Sequence, residues 1–312
     1  MERTFNNKNS LKHDGSETPI RLLFLKAVKK YIHFLMMPAL LLVYTACTER
    51  VEVDLEEAGD PLLVVFSEMT NEAKSQVVYL TRSSPYFENG KTPVVTAASV
   101  YLSDGTSEIE LEENPAESGI YKTAVDYACL PGKTYTLRID NVDVNEDGQM
   151  ESYTASSSTL AVSAVESVDV VYNSRWDGWG VQLYAQDPAE VDNYYLFKVS
   201  RNNELYTDSL HNYWVTDDRL FNGNQINGPT VQYFDEEKDE LLEDGDLVTL
   251  EMYAISKAYY EFVVGVLEEE GTKVPIFNGP SANPKGNISN GALGFFSVQA
   301  VSRGSTVYHV DE

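Results

Sequence analysis

From Pro61 onward, hydrophobic and polar residues follow one another in short alternating or apolar runs. "SQVVYLTRS", "KTYTLRID" and "ESYTASSSTL" are three of these runs. Side chains of a strand point alternately to two faces, so a period of two predicts strands with one buried face. Asn-Gly, Asp-Gly and Pro-Gly pairs separate the runs and predict turns. About seven strands within residues 61–162 predict an immunoglobulin-like β-sandwich.

The same pattern continues through residues 163–312 and predicts a second β-rich domain. "SVDVVYN" and "GVQLYAQD" lie on either side of Asp177 and Gly178 and predict a hairpin with a two-residue turn. "NYYLFKVS", "ELYTDSLHNYWV", "TVQYF", "DLVTLEMYAIS" and "GALGFFSVQAVSR" predict further strands. The predicted fold class is therefore mostly β.

One segment of this second part has helical periodicity instead. Apolar side chains recur every three or four residues from Tyr259 to Leu267, and acidic residues occupy other positions. Ser256 has the side chain of a typical N-cap. We expect an amphipathic helix at about residues 257–270.

The N-terminal segment has the pattern of a secretory signal. Basic residues cluster before residue 31, and residues 34–46 carry no Lys, Arg, Asp or Glu. This apolar run is shorter than the roughly 20 residues of a membrane-spanning helix. The predicted division is a signal peptide with an extended leader in residues 1–46, followed by a lipidated cysteine and a tether in residues 47–60.

Cys47 stands where a bacterial lipoprotein signal places the cysteine that receives lipid. The small residues Thr45 and Ala46 precede it, as in a lipobox. Two or more acyl chains hold a protein stably on a membrane, so the lipid of the outer membrane is an expected partner through Cys47. The alternative is a signal peptide that happens to precede a buried cysteine.

Charge and cysteine content narrow the range of partners. Residues 1–46 carry seven of the 23 basic and three of the 49 acidic residues, so the remaining chain has a formal net charge of −30. This charge excludes nucleic acid as a partner, because phosphate contacts require a basic surface. With Cys47 acylated, Cys129 would lack a disulfide partner within the chain and is expected to be a small core residue.

"DVNEDGQMESY" resembles the first half of a calcium-binding loop. Asp143, Asn145 and Asp147 stand at alternate positions before Gly148, and Glu151 could supply a further oxygen ligand. The acidic residue expected at the end of such a loop is missing. The alternative is a polar hairpin loop, which Asn and Asp-Gly also favour. Calcium is the one cofactor that the sequence suggests.

"RWDGWG" places Trp176 and Trp179 around the expected Asp-Gly turn, with Arg175 beside them. Exposed indoles could form an aromatic platform for a sugar ring or a protein partner. The alternative is a cross-strand pair that stabilises its own hairpin.

Familiar catalytic motifs are absent from the sequence. It contains neither a Gly-x-Ser-x-Gly motif nor a His-Glu-x-x-His motif, phosphate-binding loop or dinucleotide fingerprint. We therefore expect no catalytic residues and a binding or assembly function instead of an enzyme.

The chain resembles the domain-of-unknown-function 4249 family of Bacteroidota. The segments that carry the resemblance are "EDGDLVTLEMYAISKAYYEFVVGVLEE" and "PSANPKGNISNGALGFFSVQAVSR", supported by "VTDDRLFNG" and "PGKTYTLRI". The resemblance implies an outer-membrane lipoprotein, commonly encoded beside a TonB-dependent receptor. The expected function is an accessory role in nutrient capture or uptake, with the periplasmic or surface face left open. The alternatives are an envelope hydrolase with a site between the two domains and a structural or adhesive surface protein.

Overall fold

The computed structural model describes residues 60–84, 92–175, 177–189, 191–235, 241–270 and 283–310. Cys47 and Trp176 lie outside these ranges. The first seven strands are β1 (Leu63–Thr70), β2 (Val77–Arg82), β3 (Ser99–Ser103), β4 (Glu108–Glu113), β5 (Ile120–Lys122), β6 (Thr134–Val142) and β7 (Glu151–Ser158).

The other strands lie between residues 165 and 307. They are β8 (Val165–Asn173), β9 (Gly178–Gln186), β10 (Tyr194–Arg201), β11 (Glu204–Leu205), β12 (Trp214–Asp217), β13 (Gln225–Asp235), β14 (Leu247–Ala254) and β15 (Leu293–Val307). A 3-10 turn (Leu210–Asn212) and helix α1 (Lys257–Glu270) complete the described elements. The mostly β class predicted from the sequence is confirmed.

The first seven strands form the predicted immunoglobulin-like sandwich. β1, β2 and β5 form one layer of the sandwich, and β4, β3, β6 and β7 form the other. β4 pairs with β5, so the sheet continues from one layer into the other between these two strands. Alternate residues point inward from each strand, as the period of two requires. Val65, Leu80, Val100 and Leu137 are among the buried residues of this core. The predicted boundary near residue 162 falls between β7 and β8.

A second sandwich follows. β10 pairs with β14, β11 and β12, and this sheet packs on the three-stranded sheet β13-β9-β8. Their shared core includes Val181, Leu183, Phe197 and Leu250.

β15 belongs to both sandwiches. Its first half, Leu293–Gln299, pairs in parallel with β1, and its second half, Ala300–Val307, pairs antiparallel with β14. One sheet of twelve strands therefore runs from β11 to β7. Phe296 and Val298 enter the first core, whereas Phe295 packs on the opposite face of the sheet.

The Asn-rich and Gly-rich segment before β15 fits closely against the strands. Gly294 has φ +90°, and a Cβ there would lie 2.0 Å from the carbonyl oxygen of Val65. Only glycine tolerates such an approach at this backbone angle. The Asn287 side chain accepts a hydrogen bond from Phe296 N (2.9 Å) and donates one to Phe296 O (2.8 Å). These contacts fix the path of the segment beside β15.

Helix α1 occupies the predicted range and covers the face of the sheet opposite the second core. The Ser256 hydroxyl accepts a hydrogen bond from Tyr259 N (3.1 Å), which confirms the predicted N-cap. Tyr259, Phe262 and Val263 pack against Phe295 and neighbouring side chains. Among the described residues, no helix is both long and apolar enough to cross a membrane.

Two local predictions are wrong. Asn173 pairs with Gly178, so the hairpin turn lies between these two residues and Gly178 already belongs to β9. Gly178 fits there because a Cβ would lie 2.5 Å from the carbonyl oxygen of Phe234 on β13. The run "ELYTDSLHNYWV" is not one strand, because the 3-10 turn separates β11 from β12.

Candidate functional site

A groove of about 600 Å³ lies on the face of the large sheet that α1 partly covers, and we call it the Glu68 groove. β1, β2, β10 and β14 supply most of its lining, with Lys74, Ser75 and Gln76 and the segment before β12 at its sides. β1 alternates, so Val65 and Met69 enter the first core while Phe66 and Glu68 face the groove. The groove thus joins side chains from both sandwiches.

The carboxylate of Glu68 lies at the centre of a hydrogen-bonded cluster. Oε2 accepts hydrogen bonds from Lys198 Nζ and the Tyr213 hydroxyl, both at 2.8 Å. Oε1 accepts one from the Tyr259 hydroxyl at 2.7 Å and a longer one from Gln299 Nε2 at 3.4 Å. A buried carboxylate is tolerated when donors and an opposite charge surround it in this way.

These contacts keep Glu68 ionised. Burial by itself would raise the pKa of Glu68. The positive charge of Lys198 and the hydrogen bonds from Lys198, Tyr259 and Tyr213 outweigh that effect, so the pKa lies below its usual value. Burial, followed by the charge of Glu68, raises the pKa of Tyr213 and Tyr259, so both phenols remain donors at neutral pH.

Lys198 is held as firmly as its partner. Its side chain is 10% exposed and that of Glu68 is 14% exposed. Its ammonium donates to the Tyr213 hydroxyl at 2.7 Å and lies 4.3 Å from the Tyr213 ring centre and 5.3 Å from that of Tyr253. An ammonium has three donors, and these hydrogen bonds use two of them.

A chain of charged side chains borders this cluster. The Tyr253 hydroxyl donates to Glu251 at 2.6 Å, and burial followed by the Glu251 charge raises the pKa of Tyr253. Arg303 bridges Glu251 and Glu72, at 2.5 and 2.6 Å. Tyr79 on β2 also lines the groove and exposes 45% of its surface to solvent. The groove therefore combines fixed polar groups with an accessible aromatic side.

Such an arrangement is suited to holding a polar ligand. Binding sites use a few convergent polar groups on a rigid, partly aromatic surface. A general acid for hydrolysis needs a raised pKa, whereas Glu68 has a lowered one.

Those residues predicted from the sequence that the structure describes do not line this groove. Cys47 and Trp176 lie outside the described residues. Trp179 is 8% exposed and packs against Tyr172, with ring centres 5.3 Å apart, so it contributes to a core and not to an exposed platform. Arg175 is exposed in the hairpin turn, where its backbone N–H donates to Asn173 Oδ1.

The suspected calcium loop is closed by its own hydrogen bonds. Asp143 accepts from the backbone N–H groups of Asp147 (3.1 Å) and Gly148 (2.9 Å), while Glu151 accepts from the hydroxyl of Tyr153 on β7. No group of three or more His, Cys, Asp or Glu residues within the described ranges could hold a metal. Calcium binding by Asp143, Asn145 and Asp147 with Glu151 stays a prediction.

Cys129 is a core residue, as predicted. Its side chain is buried in the first sandwich, and burial raises the pKa of its thiol to about 12. A protonated, buried thiol is a poor nucleophile.

Sequence reasoning missed Glu68 and Lys198, although a signal was present. Each is a lone charge within an otherwise apolar strand, in "LLVVFSEM" and "NYYLFKVS". A charge at a position expected to be buried requires a partner of opposite charge. The sequence could have suggested that these two residues pair, but not where the pair would lie.

Comparison with known families identifies the chain at the family level. A family model described as domain of unknown function (DUF4249) matches residues 48–305. The chain belongs to the DUF4249 family. The membership in the DUF4249 family predicted from the sequence is therefore confirmed, and the match extends over the described strands from β1 to Ser305 in β15.

Solved structures add little to the DUF4249 assignment. One, titled a cytokine receptor complex, is 12% identical with a TM-score of 0.21, and the alignment covers 77% of this chain and 94% of the other. The FN1–FN3 domains of chicken CNTN1 are 12% identical with a TM-score of 0.24, and the coverage is 63% and 60%. Both TM-scores are too low to support an argument. A search of curated proteins found no match.

Proposed function

We propose that this DUF4249 protein is a lipid-anchored binding protein of the outer membrane that works with a TonB-dependent receptor in nutrient capture or uptake. The observation that carries the proposal is the Glu68 groove, in which side chains from both sandwiches meet around a rigid ion pair. Its role is to hold a polar ligand or a polar segment of the receptor against the exposed side of Tyr79.

The sequence before the described residues supports the membrane location. The apolar run of residues 34–46 ends at Cys47, and the charged residues 48–60 then separate the cysteine from β1. A tether of this length allows the sandwich domains to stand off from the lipid surface. The resemblance to Bacteroidota lipoproteins supports the same location and the receptor as a partner.

The chemistry of the groove favours binding over hydrolysis. The alternative of an envelope hydrolase places a site between the two parts of the chain, where the groove does lie. However, Glu68 is held as an ion by three hydroxyl or ammonium donors. The hydroxyls of Tyr213 and Tyr259 stay protonated at neutral pH because their pKa values are raised, so neither is available as a general base. A panel of chromogenic glycoside and peptide substrates separates the two functions, because the hydrolase alternative requires turnover that Glu68→Gln changes.

The location is tested by mass spectrometry of the envelope form. We expect the wild-type chain to begin at an acylated Cys47 and to sediment with outer membranes, and Cys47→Ser to be released into the soluble fraction. An unmodified chain that still contains residues upstream of Cys47 would contradict the membrane location.

The partnership is tested by recovering the tagged protein in mild detergent. We expect the wild type to retain a TonB-dependent receptor and Tyr79→Ala to retain less of it. Met150→Ala is the matched control, because Met150 is exposed but does not line the groove. Recovery of the wild type without any such receptor would contradict the proposed partnership.

A further inference from the structure

A second cavity lies on the opposite face of β10. Phe197 and Lys198 are neighbours on this strand, so their side chains point to opposite faces. Lys198 lines the Glu68 groove, whereas Phe197 lines a pocket of about 390 Å³ between β10 and β12 on one side and β9 and β13 on the other. We call it the Trp214 pocket. Its floor reaches the second core at Leu183, Phe197, Ile226 and Val231.

The mouth of the Trp214 pocket exposes large apolar side chains. Trp214 on β12 is 41% exposed, and Leu220 in the turn after β12 is 96% exposed. Exposed leucines occur singly on many proteins, but an exposed leucine and an exposed tryptophan that line the same cavity are typical of a binding site.

Buried acidic residues hold this turn in place. Asp218 accepts a hydrogen bond from Asn193 N at 2.8 Å, and Asp187 accepts one from Gly223 N at 2.9 Å. Both carboxylates are almost fully buried. The exposure of Leu220 is therefore a property of a firmly hydrogen-bonded turn.

A β-bulge contributes to the opening on the other side. The pairing of β13 with β9 shifts register between Asn227 and Thr230, and Pro229 in this interval lacks a backbone donor. Gly228 adopts φ +75°, as bulges often require. Bulges commonly occur next to binding sites because they redirect side chains.

We propose that the Trp214 pocket binds a compact, uncharged apolar molecule, such as an aromatic ring system. No Asp, Glu, Lys or Arg lines it among the described residues, although the chain carries a formal net charge of −26. A cavity with an apolar floor offers water few hydrogen bonds, so an apolar ligand displaces water readily. A volume of about 390 Å³ lies within the range of small-molecule sites, about 300 to 1,000 Å³, whereas a protein partner would need about 800 Å² of surface.

Photolabelling of the full chain in its membrane tests this proposal. The probe is a neutral naphthalene derivative that carries a diazirine, and mass spectrometry maps the labelled peptides. We expect saturable labelling between residues 214 and 231, with competition by free naphthalene. Peptide mapping separates this signal from probe that enters the lipid.

Three variants make the test specific. Thr216→Trp places an indole on the pocket-lining side of β12 and should reduce the labelling about tenfold or more. Leu220→Ser alters only an exposed side chain and should reduce it less, without lowering the melting temperature. Tyr79→Ala, in the groove on the other face, should leave the labelling unchanged.

Two outcomes would overturn the proposal. The first is labelling of residues 214–231 that does not saturate or that persists in Thr216→Trp. The second is protection of these residues that increases with protein concentration, because a second copy of the chain would then cover the mouth. Neither outcome depends on the membrane anchor or on the receptor.

Discussion

Replacing Glu68 with glutamine should destabilise the protein strongly. The pair of Glu68 and Lys198 is buried, with side chains 14% and 10% exposed, so solvent screens it little. Removing one partner of a buried pair costs about 3 to 5 kcal/mol, because the other charge stays without compensation. For a domain of 150 to 250 residues, each kcal/mol lowers the melting temperature by about 2 to 4 °C. Glu68→Gln should therefore melt about 6 to 20 °C lower at neutral pH.

The pH dependence of this loss follows from the lowered pKa of Glu68. A carboxyl whose pKa is lower in the folded state stabilises the fold above its unfolded pKa, here about 4.5, and loses that contribution as the pH falls through the folded value. The wild type then becomes protonated at Glu68 and resembles the glutamine variant. The difference in unfolding free energy should be constant from neutral pH down to about 4.5 and then shrink.

Urea denaturation at several pH values measures these free energies. The double variant Glu68→Gln with Lys198→Met removes both charges and should recover much of the lost stability. Glu117→Gln is the control, because the ion pair between Glu117 and Lys122 is exposed and should contribute no more than about 1 kcal/mol. Two results would contradict a stabilising buried pair. One is a loss of unfolding free energy in Glu68→Gln no larger than that in Glu117→Gln. The other is a difference in unfolding free energy between wild type and Glu68→Gln that does not depend on pH.

Three further predictions concern other parts of the chain. Gly294→Ala should prevent folding or lower the melting temperature severely, because its Cβ would collide with the Val65 carbonyl oxygen. The control Gly105→Ala also has a positive φ, +82°, but its Cβ would meet no atom within 4 Å, so it should lower the unfolding free energy by only about 1 kcal/mol. Circular dichroism during heating compares the two variants. Cys129 should react with a thiol reagent only after denaturation, because the native thiol is buried and its pKa is raised to about 12; fast labelling of the native protein would contradict this. If the loop binds calcium, millimolar Ca²⁺ should raise the melting temperature and Asp143→Ala should abolish the rise; no shift in the wild type would remove the calcium hypothesis.

The strands and the helix could be predicted because their signals are local. Alternation placed the strands of the first sandwich, and the spacing from Tyr259 to Leu267 together with Ser256 placed α1. The predicted position of the hairpin turn is wrong because Asp177 and Gly178 have the residue types of a two-residue turn, although Gly178 lies in β9. What decides against that turn is the close approach of β13 to Gly178, which no local pattern reveals.

The candidate site could not be predicted, because its parts are distant in sequence. Glu68 and Lys198 are separated by 130 positions, and Tyr259 lies 191 positions from Glu68. Tyrosine is the most abundant aromatic residue here, with 20 in the chain, so sequence alone does not distinguish Tyr213 and Tyr259 from the tyrosines that pack in cores. The pairing of β1 with β15 brings these elements together, and that pairing is a property of the whole fold.

The position of β15 also has a consequence for how the protein reaches its folded state. β1 is among the earliest described strands to leave the ribosome, yet its parallel neighbour Leu293–Gln299 is made more than two hundred residues later. Until then β1 lacks its partner on that edge, and β14 lacks the partner that Ala300–Val307 provides. Contacts this distant along the chain form slowly. Neither sandwich can complete its part of the twelve-stranded sheet until β15 has left the ribosome.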